Sequence, residues 1–273
     1  MNAVEKLRAI SKKNNSLVCV GLDIDPTKLP QHLFSEKNAY LHFNKEIIDA
    51  TKDLVCAYKP NMAFYESLGK EGMILLEETL KLIPQDILII LDGKRNDIGN
   101  TANHYAKSLF ETLKADSVTI NPYLGSDSIT PFSNYSDKLS FILCRTSNPS
   151  AIDLQDYGPK EKPLYLHVAE KINEWNTQHN LGAVVGATYP EELKEIRKIL
   201  GENTPLLIPG VGKQGGDVEQ TIKHGVNSKG EMAVINSSRG IIYASNKEDY
   251  AEAARQATQQ LKETINDYRP NPL

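Results

Sequence analysis

Asp92 and Lys94 stand two residues apart in Leu91-Asp92-Gly93-Lys94-Arg95-Asn96-Asp97, and a second carboxylate, Asp97, follows three residues later. In an extended chain, residues i and i+2 project to the same face, so Asp92 and Lys94 are predicted to point together. Buried charges cost several kcal/mol each unless they are paired, hydrogen-bonded or used. The plain structural alternative is a local ion pair, with Asp97 capping the helix that follows. Lys59, at the end of the separate apolar run Val55–Lys59, tilts the balance toward function. Two lysines and two carboxylates converging on one place are hard to explain by structure alone. Opposite charges gathered in this way are the equipment of an enzyme site.

A second cluster offers phosphate binding. The segment Gly210–Gly216 holds four glycines in seven residues, and Ser237-Ser238-Arg239-Gly240 follows the next apolar run. Glycine permits close backbone approach to a ligand. Arg239 can fork two phosphate oxygens and Gln214 can donate a third contact. A flexible loop beside a surface arginine is the simpler account, but the coincidence of the two segments favours phosphate.

Other chemistry finds little footing. The six histidines show no H-x-x-x-H or Cys/His spacing, so no zinc site is predicted. No G-x-S-x-G elbow is present. Gly210-x-Gly212-x-x-Gly215 spells G-x-G-x-x-G but is not read as a dinucleotide-binding motif, because it falls in the seventh strand–helix loop with no ribose-binding acid at the usual distance.

These residues need a frame that gathers them. Eight short apolar runs recur: Leu17–Leu22, Val55–Lys59, Ile87–Asp92, Ser117–Ile120, Leu139–Cys144, Ala183–Ala187, Leu206–Pro209 and Ala233–Asn236. They are near-continuous and not alternating, as in parallel strands covered on both faces. Helical patterns lie between them. Ala102, Tyr105, Ala106, Leu109 and Leu113 share one face, and Tyr250, Ala254, Ala257, Leu261 and Ile265 share another. Asp217 reads as an N-cap and Gly225 as the same helix's stop. His42, His104, His167, His179 and His224 fall mostly on predicted helices and His32 in a loop. Eight strand–helix units point to an α/β fold of the (β/α)8 TIM-barrel type, with a doubly wound open sheet as the alternative. Val4, Leu7 and Ile10 predict an extra helix before the first strand. One domain over residues 1–273 is expected, because no linker or shift of composition interrupts the chain. In such a barrel the carboxyl ends of the strands carry the site, and the charged residues above fall there. The irregular stretch Pro149–Pro163 is expected on the same face.

Composition narrows the partners. The 273 residues are 40% hydrophobic and 24% charged, enough to bury a core and ordinary for a globular protein. The net charge of −4 argues against a nucleic-acid polymer or an anionic membrane surface as partner. No apolar run approaches the ~20 residues of a membrane span, and the N-terminal residues lack the apolar centre of a signal peptide. Cys19, Cys56 and Cys144 each sit in an apolar run, so buried free thiols and a reducing, cytoplasmic setting are expected.

The segment LDGKRNDIGNTANHYA resembles the signature of the orotidine 5′-phosphate decarboxylase family, in its longer bacterial subgroup, type 2. GLDID, YKPNMAFYE, CRTSNPS, PGVGKQGGD and NSSRGI stand in the expected order, so the resemblance spans nearly the whole chain. The D-x-K-x-x-D element is also shared with sugar-phosphate decarboxylases and hexulose-phosphate synthases of similar fold. Those families usually place an acidic residue at the end of the second strand and use Mg²⁺. Lys59 at that position favours the orotidine enzyme.

The resemblance implies decarboxylation of orotidine 5′-monophosphate to uridine 5′-monophosphate (UMP) and CO2 in pyrimidine biosynthesis, with no metal or organic cofactor. It implies Lys94 as the acid that protonates C6, Asp92 beside the substrate carboxylate, and Lys59 and Asp97 completing an alternating charge array. It further implies a homodimer in which Asp97, Ile98 and Thr101 act in the partner's site. Asp23 and Asn61 would contact ribose hydroxyls, and Thr146 and Ser147 resemble pyrimidine-binding positions. Gln214 and Arg239 would hold the phosphate, with Pro209 and Ser238 lining the site. Two other readings stay open: a Schiff-base aldolase using Lys94 or Lys59 on the same barrel, and a nucleotide-binding barrel without catalysis.

Overall fold

Eight parallel strands pair in sequence order and close on themselves. They are β1 (Val18–Gly21), β2 (Ala57–Lys59), β3 (Leu88–Arg95), β4 (Ser117–Ile120), β5 (Leu139–Arg145), β6 (Leu181–Val185), β7 (Leu206–Pro209) and β8 (Ala233–Ser237). This computed structural model describes residues 1–211 and 217–270. Closure is made by β1 and β8, where Val18 pairs with Ile235 and Cys19 with Asn236. The expected barrel is therefore present, and the open doubly wound sheet is not.

Burial explains the apolar runs. All four residues of β1, all three of β2 and all four of β4 are buried, because helices cover the outside while side chains fill the inside. The outer layer includes helices Gly69–Leu82, Leu164–Trp175, Pro190–Leu200 and Tyr250–Tyr268. The predicted first helix is Ala3–Lys13, opened by a reciprocal cap between Asn2 and Glu5. Its Lys6 and Lys13 bond Asp116 and Asp86, and the Ala3 amide bonds the Asp137 carbonyl. Those partners lie just ahead of β4, β3 and β5, so this helix crosses the amino end of the barrel, away from the strands' carboxyl ends.

Asp217 caps helix Val218–Gly225 through the Gln220 amide, and Gly225 is its last residue, both as predicted. Other details depart from expectation. β3 runs to Arg95 and not to Asp92, because Arg95 still pairs with Ile120 and takes the Asn121 amide on its carbonyl. The following helix spans Gly99–Lys107 and then widens by a residue per turn over Ser108–Thr112. Asp97 does not cap it: Ile98 holds the cap position, and the Asp97 carboxylate accepts only from the adjacent Ile98 amide among the described residues. Tyr105, predicted on the buried face, is partly exposed with the Arg95 guanidinium 5.3 Å from its ring. His179 sits in a turn with φ 55°, not on a helix.

Candidate active site

The carboxylate of Asp92 organises the mouth of the barrel. Lys59, at the end of β2, places its ammonium 2.6 Å from one carboxylate oxygen, Oδ2. Lys94 places its own 2.6 Å from the other, Oδ1. Thr119, from β4, donates to the same Oδ1 at 2.8 Å. Three neighbouring strands thus converge on one buried carboxyl group. Burial alone would drive Asp92 toward its neutral form, but Lys59 and Lys94 outweigh it and hold the carboxyl far below the usual range. Burial likewise works against a charged Lys59, yet the carboxylates of Asp92 and Asp23 raise it above the usual lysine range. The pair is ionised at neutral pH.

Lys94 reaches Asp92 by an unexpected route. Its backbone is left-handed, with φ 45°, and the β3–β4 register shifts between Leu91 and Arg95. A lysine in this region costs roughly 1–2 kcal/mol against an extended one. The two side chains do meet, but across a bulge and not by simple strand alternation. The Lys59 side chain is 5% exposed, whereas that of Lys94 is 46% exposed, so one ammonium is sealed and the other faces the mouth.

Asp23 and Asn61 lie beside this cluster. The Asn61 amide donates to Asp23 Oδ1 at 3.2 Å, and Asn61 bridges to Asp92 through the backbone. Asp23 also lines a cavity of about 260 Å³ with Phe64, Pro209, Ser238 and Arg239. Four of the predicted binding residues therefore share one space. Gly21 makes this possible, since a Cβ there would stand 2.6 Å from the Cβ of Ser238. Tyr243 braces the same corner: its hydroxyl donates to the Asp23 carbonyl at 3.2 Å and accepts from the Asp25 amide at 2.6 Å. Gln214 lies outside the described residues.

Thr146 and Ser147 follow β5. The Thr146 amide donates to Gln155 Oε1 at 2.9 Å, and Gln155 Nε2 donates to the Thr146 hydroxyl at 2.7 Å. Gln155 belongs to the expected irregular stretch, which folds back on the strand end. Ser147 packs against Gly186 beyond β6. Ile98 and Thr101 point to solvent, and Asp97 bonds neither Lys59 nor Lys94 among the described residues.

Sequence reasoning passed over Thr119, Asn236, Phe64 and Tyr243. Asn236 was visible only as part of a strand end. It is buried, lines the 260 Å³ cavity and leaves its side-chain oxygen without a partner. A buried polar atom of this kind is free to accept a hydrogen bond from a bound group or a water. Thr119 had no such signal, because Ser-Val-Thr-Ile reads as an ordinary strand.

Comparison with known proteins agrees with this fold. The family model described as "Orotidine 5′-phosphate decarboxylase / HUMPS family" matches residues 16–254. The chain is 47% identical to an orotidine 5′-phosphate decarboxylase of Dehalococcoides mccartyi, covering 98% of this chain and 99% of the relative. Identity is 49% to that of Cupriavidus metallidurans, with the same coverage. Among solved structures, the OMP decarboxylase of Leishmania donovani superposes with a TM-score of 0.86 at 37% identity, covering 98% of this chain and 99% of that one.

Proposed function

This chain belongs to the orotidine 5′-phosphate decarboxylase / HUMPS family, and on that premise we propose that it converts orotidine 5′-monophosphate to UMP and CO2 in pyrimidine biosynthesis. The observation that carries this reading beyond its relatives' names is the Lys59–Asp92–Lys94 array, with Lys59 and Asp92 buried and Lys94 facing the mouth. The C–C bond to the carboxylate breaks, CO2 leaves, and the electron pair stays on C6. Lys94 stabilises that carbanion electrostatically and donates its proton to it, forming UMP; solvent returns the proton to the lysine. Asp92 faces the substrate carboxylate and keeps Lys94 aimed, while Lys59 keeps Asp92 ionised.

Asp23 and Asn61 contact the ribose hydroxyls, and Thr146 and Ser147 the pyrimidine. Gln214 and Arg239 hold the phosphate, with Pro209 and Ser238 lining that end. Phosphate binding far from C6 supplies free energy that is used at C6.

The working unit in this reading is a homodimer of single-domain barrels. Asp97 and Ile98, just ahead of the helix Gly99–Lys107, and Thr101 in its first turn serve the partner's site, completing the charge array. Two features support it. Ile98, Tyr123, Leu124 and Leu154 are large apolar side chains between 44% and 74% exposed. A groove of about 650 Å³ runs beside Asn96, Tyr123, Leu154, Tyr165 and Trp175. Contiguous apolar surface of this kind marks an interface. The three cysteines are free and buried, in keeping with a cytoplasmic protein. No described helix is long and apolar enough to cross a membrane, and the net charge of −4 speaks against a nucleic-acid polymer as partner.

The aldolase alternative loses ground on Lys59. Imine formation needs a neutral amine, and Lys59 is held in its charged form by two carboxylates. The deciding experiment follows the ultraviolet absorbance of orotidine 5′-monophosphate with purified protein and excess EDTA. Steady conversion to UMP is expected. A folded protein that binds UMP and turns nothing over would overturn the reading in favour of a binding barrel.

A further inference from the structure

Thr119 is 1% exposed on β4, yet its hydroxyl touches both working residues of β3. It accepts from the Lys94 amide at 3.0 Å and donates to Asp92 Oδ1 at 2.8 Å. The direction of both bonds is fixed by chemistry. An amide can only donate, and the ionised Asp92 can only accept, so the single hydroxyl proton goes to Asp92.

The two bonds answer two problems in the fold. The register shift between Leu91 and Arg95 takes the intervening residues off the β4 ladder, and the left-handed Lys94 needs another acceptor for its amide. Thr119 Oγ1 is that acceptor. Asp92 Oδ2 is held by Lys59, but Oδ1 is shared between Lys94 and Thr119. When the Lys94 ammonium turns toward a substrate carbon, Thr119 is the remaining hold on Oδ1.

We propose that Thr119 is a positioning residue for the decarboxylation: it fixes the backbone from which the Lys94 side chain swings and pins the carboxylate from which that side chain departs. The inference rests on the assignment of Lys94 as proton donor and adds a residue that the sequence motif does not contain.

Thr119→Val keeps the shape and removes the hydroxyl, whereas Thr119→Ser keeps the hydroxyl and removes a methyl. Each is assayed for kcat and KM with orotidine 5′-monophosphate, for UMP affinity by calorimetry, and for thermal midpoint. In Thr119→Val, kcat is expected to fall about 10- to 100-fold, the scale of a hydrogen bond to a charged group. KM and UMP affinity should change by less than about threefold, since UMP has no carboxylate at C6. Thr119→Ser should restore kcat to within about threefold of the original. An unchanged kcat in Thr119→Val overturns the proposal. So does a proportional loss of UMP affinity, or a serine variant as slow as the valine one. If the valine protein does not fold, Thr119→Ala read against Thr119→Ser makes the same comparison. An inactive unmodified protein would instead overturn the decarboxylase reading itself, so the two failures are distinct.

Discussion

Lys59 and Asp92 meet at 2.6 Å across neighbouring strands with less than a tenth of either side chain exposed. Their linkage to pH follows from the directions of their shifts. The Asp92 carboxyl is lowered on folding, so its contribution is complete above the unfolded value near ~4 and is lost as pH falls below that toward the native value. Lys59 is raised, so its contribution is complete below the unfolded value near ~10.4 and is lost only as pH rises through the native one. Urea midpoints should therefore be insensitive to this pair between about pH 5 and 9 and decline in acid. Asp92→Asn should flatten that acid decline. Parallel acid limbs in the two proteins would show that Asp92 is not a principal source of it.

Lys94→Ala should abolish turnover by about 10³-fold or more, because both charge stabilisation and the proton source are removed. Its UMP binding, followed by calorimetry, should stay measurable, since the residues proposed to contact phosphate and ribose lie on other loops. A near-normal kcat would show that another group protonates the product.

Asp97→Ala should also be inactive, and mixing it with Lys94→Ala should restore activity. If the sites are shared, random exchange yields mixed dimers with one site intact at both positions. Verified subunit exchange with no recovery would place Asp97 in its own chain's chemistry or in none.

Arg239→Ala should weaken UMP by about 10- to 100-fold, the scale of charge-assisted hydrogen bonds to phosphate, while uridine affinity stays the same. Titrations of both ligands check this. Equal losses for UMP and uridine would mean that Arg239 holds the loop and not the phosphate.

The barrel was legible because closed parallel sheets demand continuous apolar strands, and each of the eight runs overlaps an observed strand. Lys59, Asp92 and Lys94 were legible because charges at the ends of such runs have few structural uses. Local backbone was harder to read. The left-handed turn at Lys94 and the continuation of β3 to Arg95 depend on pairing with Ile120, which no nearby residue announces. Thr119 was invisible for a related reason: its partners lie 25 and 27 residues earlier, and its neighbours spell an ordinary strand. The cap role of Asp97, the structural alternative to a functional one, is not what forms: the spacing fits a helix cap, but Ile98 takes that position.

The contact between Gly21 and Ser238 joins the first strand to the last. The charge cluster of Lys59, Asp92, Lys94 and Thr119 is complete within the first half of the chain, whereas Ser238 and Arg239 follow the final strand. During synthesis, therefore, the groups that would act on C6 emerge well before those that would grip the phosphate. A chain stopped short of β8 would carry every member of the reactive cluster and have no closed ring to hold a nucleotide above it.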